Sequence, residues 1–310
     1  MNKHHFLSIT DFTVPVMERI FEEAHELKKE VKAGKLRKIL SGKTLIMIFE
    51  KPSLRTRLSF EISMTQLGGH AIYLAPSDIG LGVRESVSDV AKAASRMGDI
   101  IMARTFKHET VVELARHSHV PVINGLSDME HPCQILADLL TIAEYKEKLA
   151  GLKLAFVGDG ENNVTHSLAL ASGLLGIHFS VASPKGYAML PQVAQAATKL
   201  AKTSGGSMIQ VTNPVRAVTD ADVVYTDTWI SMGDEAEKTK RLQIFAPYQV
   251  TQKLMKHAKP DAIFMHDLPA YRGNEVAAEV IDGAQSVVFD QAENRLHAQK
   301  ALVVYLLGVV

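Results

Sequence analysis

The sequence predicts an α/β protein of two domains, each a mainly parallel sheet flanked by helices. Three observations carry this. At 310 residues the chain is long enough for two domains. Short apolar runs alternate with longer helical patterns along its length. The alternation occurs twice, and a long helical pattern ending before Gly151 separates the two series.

The elements follow in order. Met17, Ile20, Phe21, Ala24, Leu27 and Val31 recur at helical spacing and predict a helix over 14–32. Thr13 and Pro15 suit its start and Gly34 its end. Strands are predicted at "TLIMIF" (44–49), "AIYLA" (71–75) and "IIMA" (100–103). "VPVIN" (120–124) is a poorer strand, because Pro121 cannot donate to a ladder. Helical stretches lie between them near 59–67, 86–97 and 109–116, followed by the long pattern 134–148. The second series has strands at "KLAFVG" (153–158), "FSVAS" (179–183), "MIQV" (208–211), "VVYT" (223–226) and "AIFMH" (262–266), again with helices between. The pattern over 294–307 is apolar enough for a docked terminal helix. No repeat or low-complexity segment interrupts the series.

Composition narrows the class. Hydrophobic residues make up 46% and charged residues 22%, an ordinary globular balance. Lys+Arg and Asp+Glu both number 34, so global charge gives no reason to expect nucleic acid or an anionic membrane as partner. The single cysteine, Cys133, allows no internal disulfide and suits a reducing compartment. "MNKHHFLSIT" lacks the apolar core of a secretory signal, and no apolar run approaches the ~20 residues of a membrane helix. A soluble, cytoplasmic protein is expected.

In open parallel sheets ligands bind beyond the carboxyl ends of the strands, so residues following strands are the informative ones. "FEKPSLRTRLSF" (49–60) follows the first strand. Ser53 suits an N-cap, and a helix start with free N–H groups favours an anion. Thr56, Arg55 and Arg57 add donors that match phosphate or carboxylate oxygens. The plainer alternative is a capped helix with two surface arginines. Arg104 in "MARTF" ends another strand, where a structural ion pair is the favoured reading of that residue taken alone. "DMEHPCQ" opens the long helix with His131, Pro132, Cys133 and Gln134. Pro suits the first helical turn. His131 and Gln134 suit polarisation of a carbonyl or simple capping, and Cys133 suits packing. In "VGDGENNVTHS" (157–167) Asn163 stands where the third glycine of a dinucleotide loop belongs, so the amides Asn162 and Asn163 better suit a carboxylate or amide. Asp227 in "YTDTWISMG" can accept from an ammonium, or close a structural turn. Asp267 sits in "FMHDLPAYRG" after an apolar run. A lone Arg295 at a helix start reads as a surface residue. No H-E-x-x-H, paired C-x-x-C or calcium loop occurs, and no G-x-S-x-G elbow.

Taken together and in order, Ser53-x-Arg55-Thr56-Arg57, Arg104-Thr105-Phe106, His131-Pro132-Cys133-Gln134 and the His266 leucine-proline corner resemble the aspartate/ornithine carbamoyltransferase family. "DTWISMG" and "GDGENN" are similar to its ornithine branch. The resemblance implies a carbamoyl phosphate domain over 1–148, onto which a terminal helix at about 294–310 packs back, and an ornithine domain over 149–293. Two helices join them, and family members form trimers or larger assemblies with sites at subunit boundaries. It further implies that Ser53, Leu54 through its backbone, Arg55 and Thr56 hold the phosphate, with Gly80, Pro132 and Cys133 lining that site. Arg104, His131 and Gln134 address the carbamoyl group. Asn163, Asp227, Ser231 and Met232 hold ornithine, and Asp267, Leu268 and Arg295 complete the site on the carbamoyl phosphate side, with Asp267 a catalytic group beside Arg104 and His131. No metal or organic cofactor is implied.

Three positions depart from the family pattern. Leu54 replaces a usual threonine, Gly80 a usual glutamine, and Asp267 a usual cysteine. These departures leave two other readings beside carbamoyl transfer to ornithine. One is transfer to another amine such as putrescine; the other is a non-catalytic relative that binds a ligand or partner.

Overall fold

The structure, a computed structural model, describes residues 5–230 and 235–309. The chain divides into two units, Met1–Leu140 with Glu293–Val310, and Thr141–Ala292. Among the described residues, no helix is long and apolar enough to cross a membrane.

In the first unit, α1 (Val14–Lys32) precedes β1 (Thr44–Phe49), α2 (Leu54–Leu67), β2 (His70–Leu74), α3 (Pro76–Ile79), α4 (Val87–Met97), β3 (Ile100–Arg104), α5 (His108–His117) and β4 (Val122–Leu126). The four strands pair in parallel in the order β2-β1-β3-β4. A strand buried on both faces needs a continuous apolar run rather than alternation, and β1 and β3 supply one. On one face Ile46, Ile48, Ile101 and Ala103 close against Val90, Ala91 and Ala94 of α4 and Val111 and Leu114 of α5. Each buried Val, Leu or Ile among these is worth about 1.5–3 kcal/mol over an exposed one.

The helix α6 (Pro132–Lys146) begins in the first unit and ends in the second. The second unit then runs β5 (Lys153–Val157), α7 (Asn163–Leu175), β6 (His178–Ala182), α8 (Pro191–Ser204), β7 (Ser207–Val211), α9 (Pro214–Val218), β8 (Val223–Tyr225), α10 (Lys238–Phe245), α11 (Gln252–Met255), β9 (Ile263–Met265) and α12 (Ala278–Ile281). Its five parallel strands are ordered β7-β6-β5-β8-β9. The last helix, α13 (Val288–Leu306), starts in this unit and ends in the first.

Strand order decides where ligands can sit. From β1 the chain builds outward to β2 and then returns to place β3 on the other side. From β5 it builds to β6 and β7 and then returns to place β8 on the other side. Each reversal leaves a crevice at the carboxyl ends of the two central strands. The loops after β1, β3, β5 and β8 therefore meet at such points.

Several expected boundaries move. β4 starts at Val122, two residues later than expected, because Pro121 contributes only its carbonyl, to Ile101 N. α2 starts at Leu54 directly after its cap rather than near residue 59. The terminal helix starts at Val288, so Arg295 lies inside α13 and not at its start; it is buried, not a surface residue. Gln291 holds that early first turn: its Oε1 accepts from His266 N and its Nε2 donates to the Tyr225 hydroxyl.

Candidate active site

In the first unit, Ser53 caps α2. Its Oγ accepts from Thr56 N at 3.3 Å and lies 3.1 Å from the Thr56 hydroxyl. Arg295 Nη2 donates to that hydroxyl at 2.9 Å, which brings α13 onto the start of α2. Two further bonds extend this seam, from Ser63 Oγ to Leu296 O and from Lys300 Nζ to Gln66 Oε1. Leu54 opens the helix with its side chain 70% exposed, so only its backbone is suited to hold a ligand. Arg104 is level with Phe49 in the β1–β3 register and is buried at the crevice. Glu50 ties the two loops together, its N–H on Arg104 O and its carboxylate accepting from Phe106 N.

His131 is buried immediately before α6, and its carbonyl accepts from Gln134 N. Pro132 begins the helix. Gln134 is fully buried and turns its Nε2 onto Asp138 Oδ1 at 2.8 Å. Cys133 is fully buried, its Sγ donates to Asn124 O, and burial pushes its thiol up to about 12, so it is an inert packing residue. Gly80 closes α3 at φ 59°, and a Cβ there would lie 2.9 Å from Arg84 Cβ. This turn accounts for one departure from the family pattern: a glutamine would be strained and crowded at this position.

The second unit collects acids instead. Asp227, after β8, accepts from Asn162 Nδ2 at 2.6 Å and from Thr228 N at 2.6 Å. Asn162 also caps α7 through Val164 N, and Asn163 is the first residue of the helix. Donor atoms of Asp227, His266 and Asp267 all lie within 4.8 Å of one another. Burial, the charge of Asp267 and a hydrogen bond between the two carboxyls hold Asp227 well above the usual carboxylate range. Such a bond needs a proton on one of the two groups, so the pair favours sharing one.

His266 sits beneath this pair. Its Nδ1 accepts from Leu268 N at 2.9 Å, and its Nε2 faces Glu275 Oε1 at 3.3 Å. With both nitrogens engaged, the ring has no spare lone pair for a metal. Burial opposes charge on the imidazole, but the acids Asp267 and Glu275 outweigh it and carry His266 up to about 9. A proton arriving at Nδ1 must displace the Leu268 N–H. Leu268 itself takes φ 60°, a left-handed conformation. Ser231 and Met232 lie outside the described residues.

Sequence reasoning missed Glu275, which accepts from Tyr271 N besides facing His266. It also missed Arg241 and Asp159, a buried ion pair beside the Asp227 loop. Only Asp159 had a local signal, its place in the "GDGENN" turn.

Residues 4–144 match the aspartate/ornithine carbamoyltransferase carbamoyl-P binding domain, and residues 150–306 match the Asp/Orn binding domain of the same family. The chain is 53% identical over 302 residues to the ornithine carbamoyltransferase of Anoxybacillus flavithermus, covering 97% of this chain and 96% of that one. It is 52% identical over 302 residues to the anabolic ornithine carbamoyltransferase of Pyrococcus furiosus, at 97% and 96% coverage. A solved structure of ornithine carbamoyltransferase from Pyrococcus furiosus superposes with a TM-score of 0.96 at 51% identity, covering 99% of this chain and 98% of that one. The chain belongs to the aspartate/ornithine carbamoyltransferase family.

Proposed function

We infer that this protein transfers the carbamoyl group of carbamoyl phosphate to the δ-amine of L-ornithine, giving L-citrulline and phosphate in arginine biosynthesis. One observation carries the reading: a chain more than half identical to ornithine carbamoyltransferases has a cationic helix start at one sheet reversal and, at the other, a carboxyl pair of buried Asp227 and half-buried Asp267. Residues 1–148 with 294–310 hold carbamoyl phosphate, and 149–293 hold ornithine.

The chemistry follows from charge. Carbamoyl phosphate is a dianion with a carbonyl. Ser53, the Leu54 N–H, Arg55 and Thr56 offer the phosphate hydroxyl, backbone and guanidinium donors at a helix N-terminus, and Gly80, Pro132, Cys133 and Arg295 shape that site. Ornithine presents a carboxylate and an α-ammonium, which suit Asn163 and Asp227, with Ser231 and Met232 beside them. The uncharged δ-amine attacks the carbonyl carbon. Arg104, His131 and Thr56 stabilise the developing oxyanion, and Gln134 orients the carbamoyl amide. The bond from carbon to the phosphate oxygen then breaks, phosphate leaves with the electron pair, and the proton lost by the nitrogen passes to the departing phosphate. Asp267 and Leu268 border the ornithine ammonium, where the acid shares its proton with Asp227.

The protein is a cytoplasmic homotrimer or a multiple of it. Leu54, Leu58 and Ile62 are exposed at i, i+4 and i+8 on α2, an apolar stripe of the kind that a partner covers. Citrulline formation measured with ornithine and putrescine in parallel tests the activity. Turnover of ornithine alone is expected; equal turnover of putrescine, or none of either, overturns the reading.

A further inference from the structure

Arg241 lies on α10 with its side chain buried among groups from three loops. Its Nη2 donates to the Asp159 carboxylate. Its Nε donates to Trp229 O at 2.5 Å. Its guanidinium lies 5.1 Å from the ring centroid of Tyr187 and 5.2 Å from that of Phe245.

Apart from Phe245 of the same helix, each of these partners belongs to a loop that carries or supports an ornithine contact. Asp159 is in the turn between β5 and α7; its Oδ1 accepts from Glu161 N, and its carbonyl accepts from Thr165 Oγ1. Three residues on, Asn162 donates to Asp227, and Asn163 follows. Trp229 lies two residues beyond Asp227. The same turn rests on the Tyr187 segment: Gly160 N donates to Tyr187 O, and a Cβ at Gly160 would lie 2.6 Å from that oxygen. One planar, forked cation therefore ties the loop after β5 to the loop after β8, with aromatic rings on its faces. In sequence, Ser231 and Met232 fall between Trp229 and Arg241, the two ends that this bond joins.

We propose that Arg241, through Asp159 and Trp229 O, is a positioning residue that sets the spacing of Asn163 and Asp227 for the amino-acid substrate. This rests on the ornithine reading above. Arg241 does not touch substrate; it holds the loops that do. A residue that only supports the fold would lower stability and affect both substrates alike. A positioning residue for this half acts on ornithine selectively.

Steady-state kinetics of Arg241→Lys, Arg241→Gln and Asp159→Asn test this, with thermal melting to confirm folding. Arg241→Lys keeps the charge but loses the fork. We expect its ornithine KM to rise at least tenfold while the carbamoyl phosphate KM stays within about twofold. Asp159→Asn should show the same split, and the Arg241→Gln/Asp159→Asn double variant should be no worse than Arg241→Gln alone, as for two members of one unit. Should Arg241→Gln fail to fold, the other two single variants carry the test. An active parent whose folded variants keep ornithine KM unchanged, or raise both KM values in step, overturns this inference alone. A parent that forms no citrulline overturns the ornithine reading and this inference with it.

Discussion

The two units build the same device and charge it oppositely. In each, a central strand runs into a turn, a polar side chain caps the next helix, and the sheet order reverses beside it. Ser53 caps α2 in the first unit, and Asn162 caps α7 in the second. Around the first stand Arg55, Arg104 and Arg295; around the second stand Asp227, Asp267 and Glu275. Strand order thus decides where a ligand binds. The charge carried by the loops decides whether it is an anion or a cation.

The largest effect is expected where the cationic unit acts on the reaction itself. Arg104→Ala should lower kcat by roughly 100- to 1,000-fold, the range for removing one oxyanion donor. A rise in KM with kcat unchanged would assign Arg104 to binding rather than to the oxyanion.

A smaller effect probes the acid pair. Only an ionised Asp227 pairs with an ammonium, and its carboxyl is held high by burial and by Asp267. Ornithine binding should therefore weaken as pH falls through that raised value, with KM rising by up to about tenfold per pH unit. Replacing Asp267 by Cys removes the neighbouring acid, so this limb should move to lower pH and citrulline formation should rise. Ornithine's own δ-ammonium contributes equally to both profiles, so the difference between them isolates the pair. Superimposable pH profiles for parent and Asp267→Cys would show that Asp267 does not tune Asp227.

Much of this was legible in the sequence. Strands buried on both faces advertise themselves as apolar runs, and "TLIMIF" gave β1 with the bounds seen. Sites after strands follow from parallel topology. Ser53 marked the start of α2 as a cap, but the helical period itself showed only from residue 59, because Leu54, Leu58 and Ile62 make its outer face apolar as well. Arg241 and Gln291 act through partners distant in sequence, and Glu275 acts through a reversal of the chain that brings it back to Tyr271 and His266. A single arginine on α10 has no local signal that it will meet Asp159, 82 positions away. Arg295 looked exposed for the same reason, since its partner Thr56 lies 239 positions away.

The smallest effect concerns a cation of the first unit that serves no ligand. Lys300 is buried, donates to Gln66 Oε1, and burial lowers it to about 8 despite the charge of Glu30. Unfolded, it titrates at its ordinary 10.5. Between those values the unfolded chain binds the extra proton, so stability contributed by this group rises with pH across that window. Below pH 8 the cost of burying the charge is present in full. Relative to the parent, Lys300→Met should thus be most favoured at pH 7, with its advantage in thermal midpoint shrinking toward pH 10. A difference that does not change with pH would mean that Lys300 keeps its ordinary titration.

The opposite charging of the two units is tested most directly by paired variants, Arg55→Ala and Asp227→Asn, each assayed for both substrates at saturation of the other. Losing a hydrogen bond to a charged group costs roughly 1.5–3 kcal/mol, or about 10- to 150-fold in affinity. Arg55→Ala should raise the carbamoyl phosphate KM by that factor and leave ornithine nearly unchanged, and Asp227→Asn should do the reverse. If both folded variants move both KM values equally, the division of anion and cation between the two units is wrong.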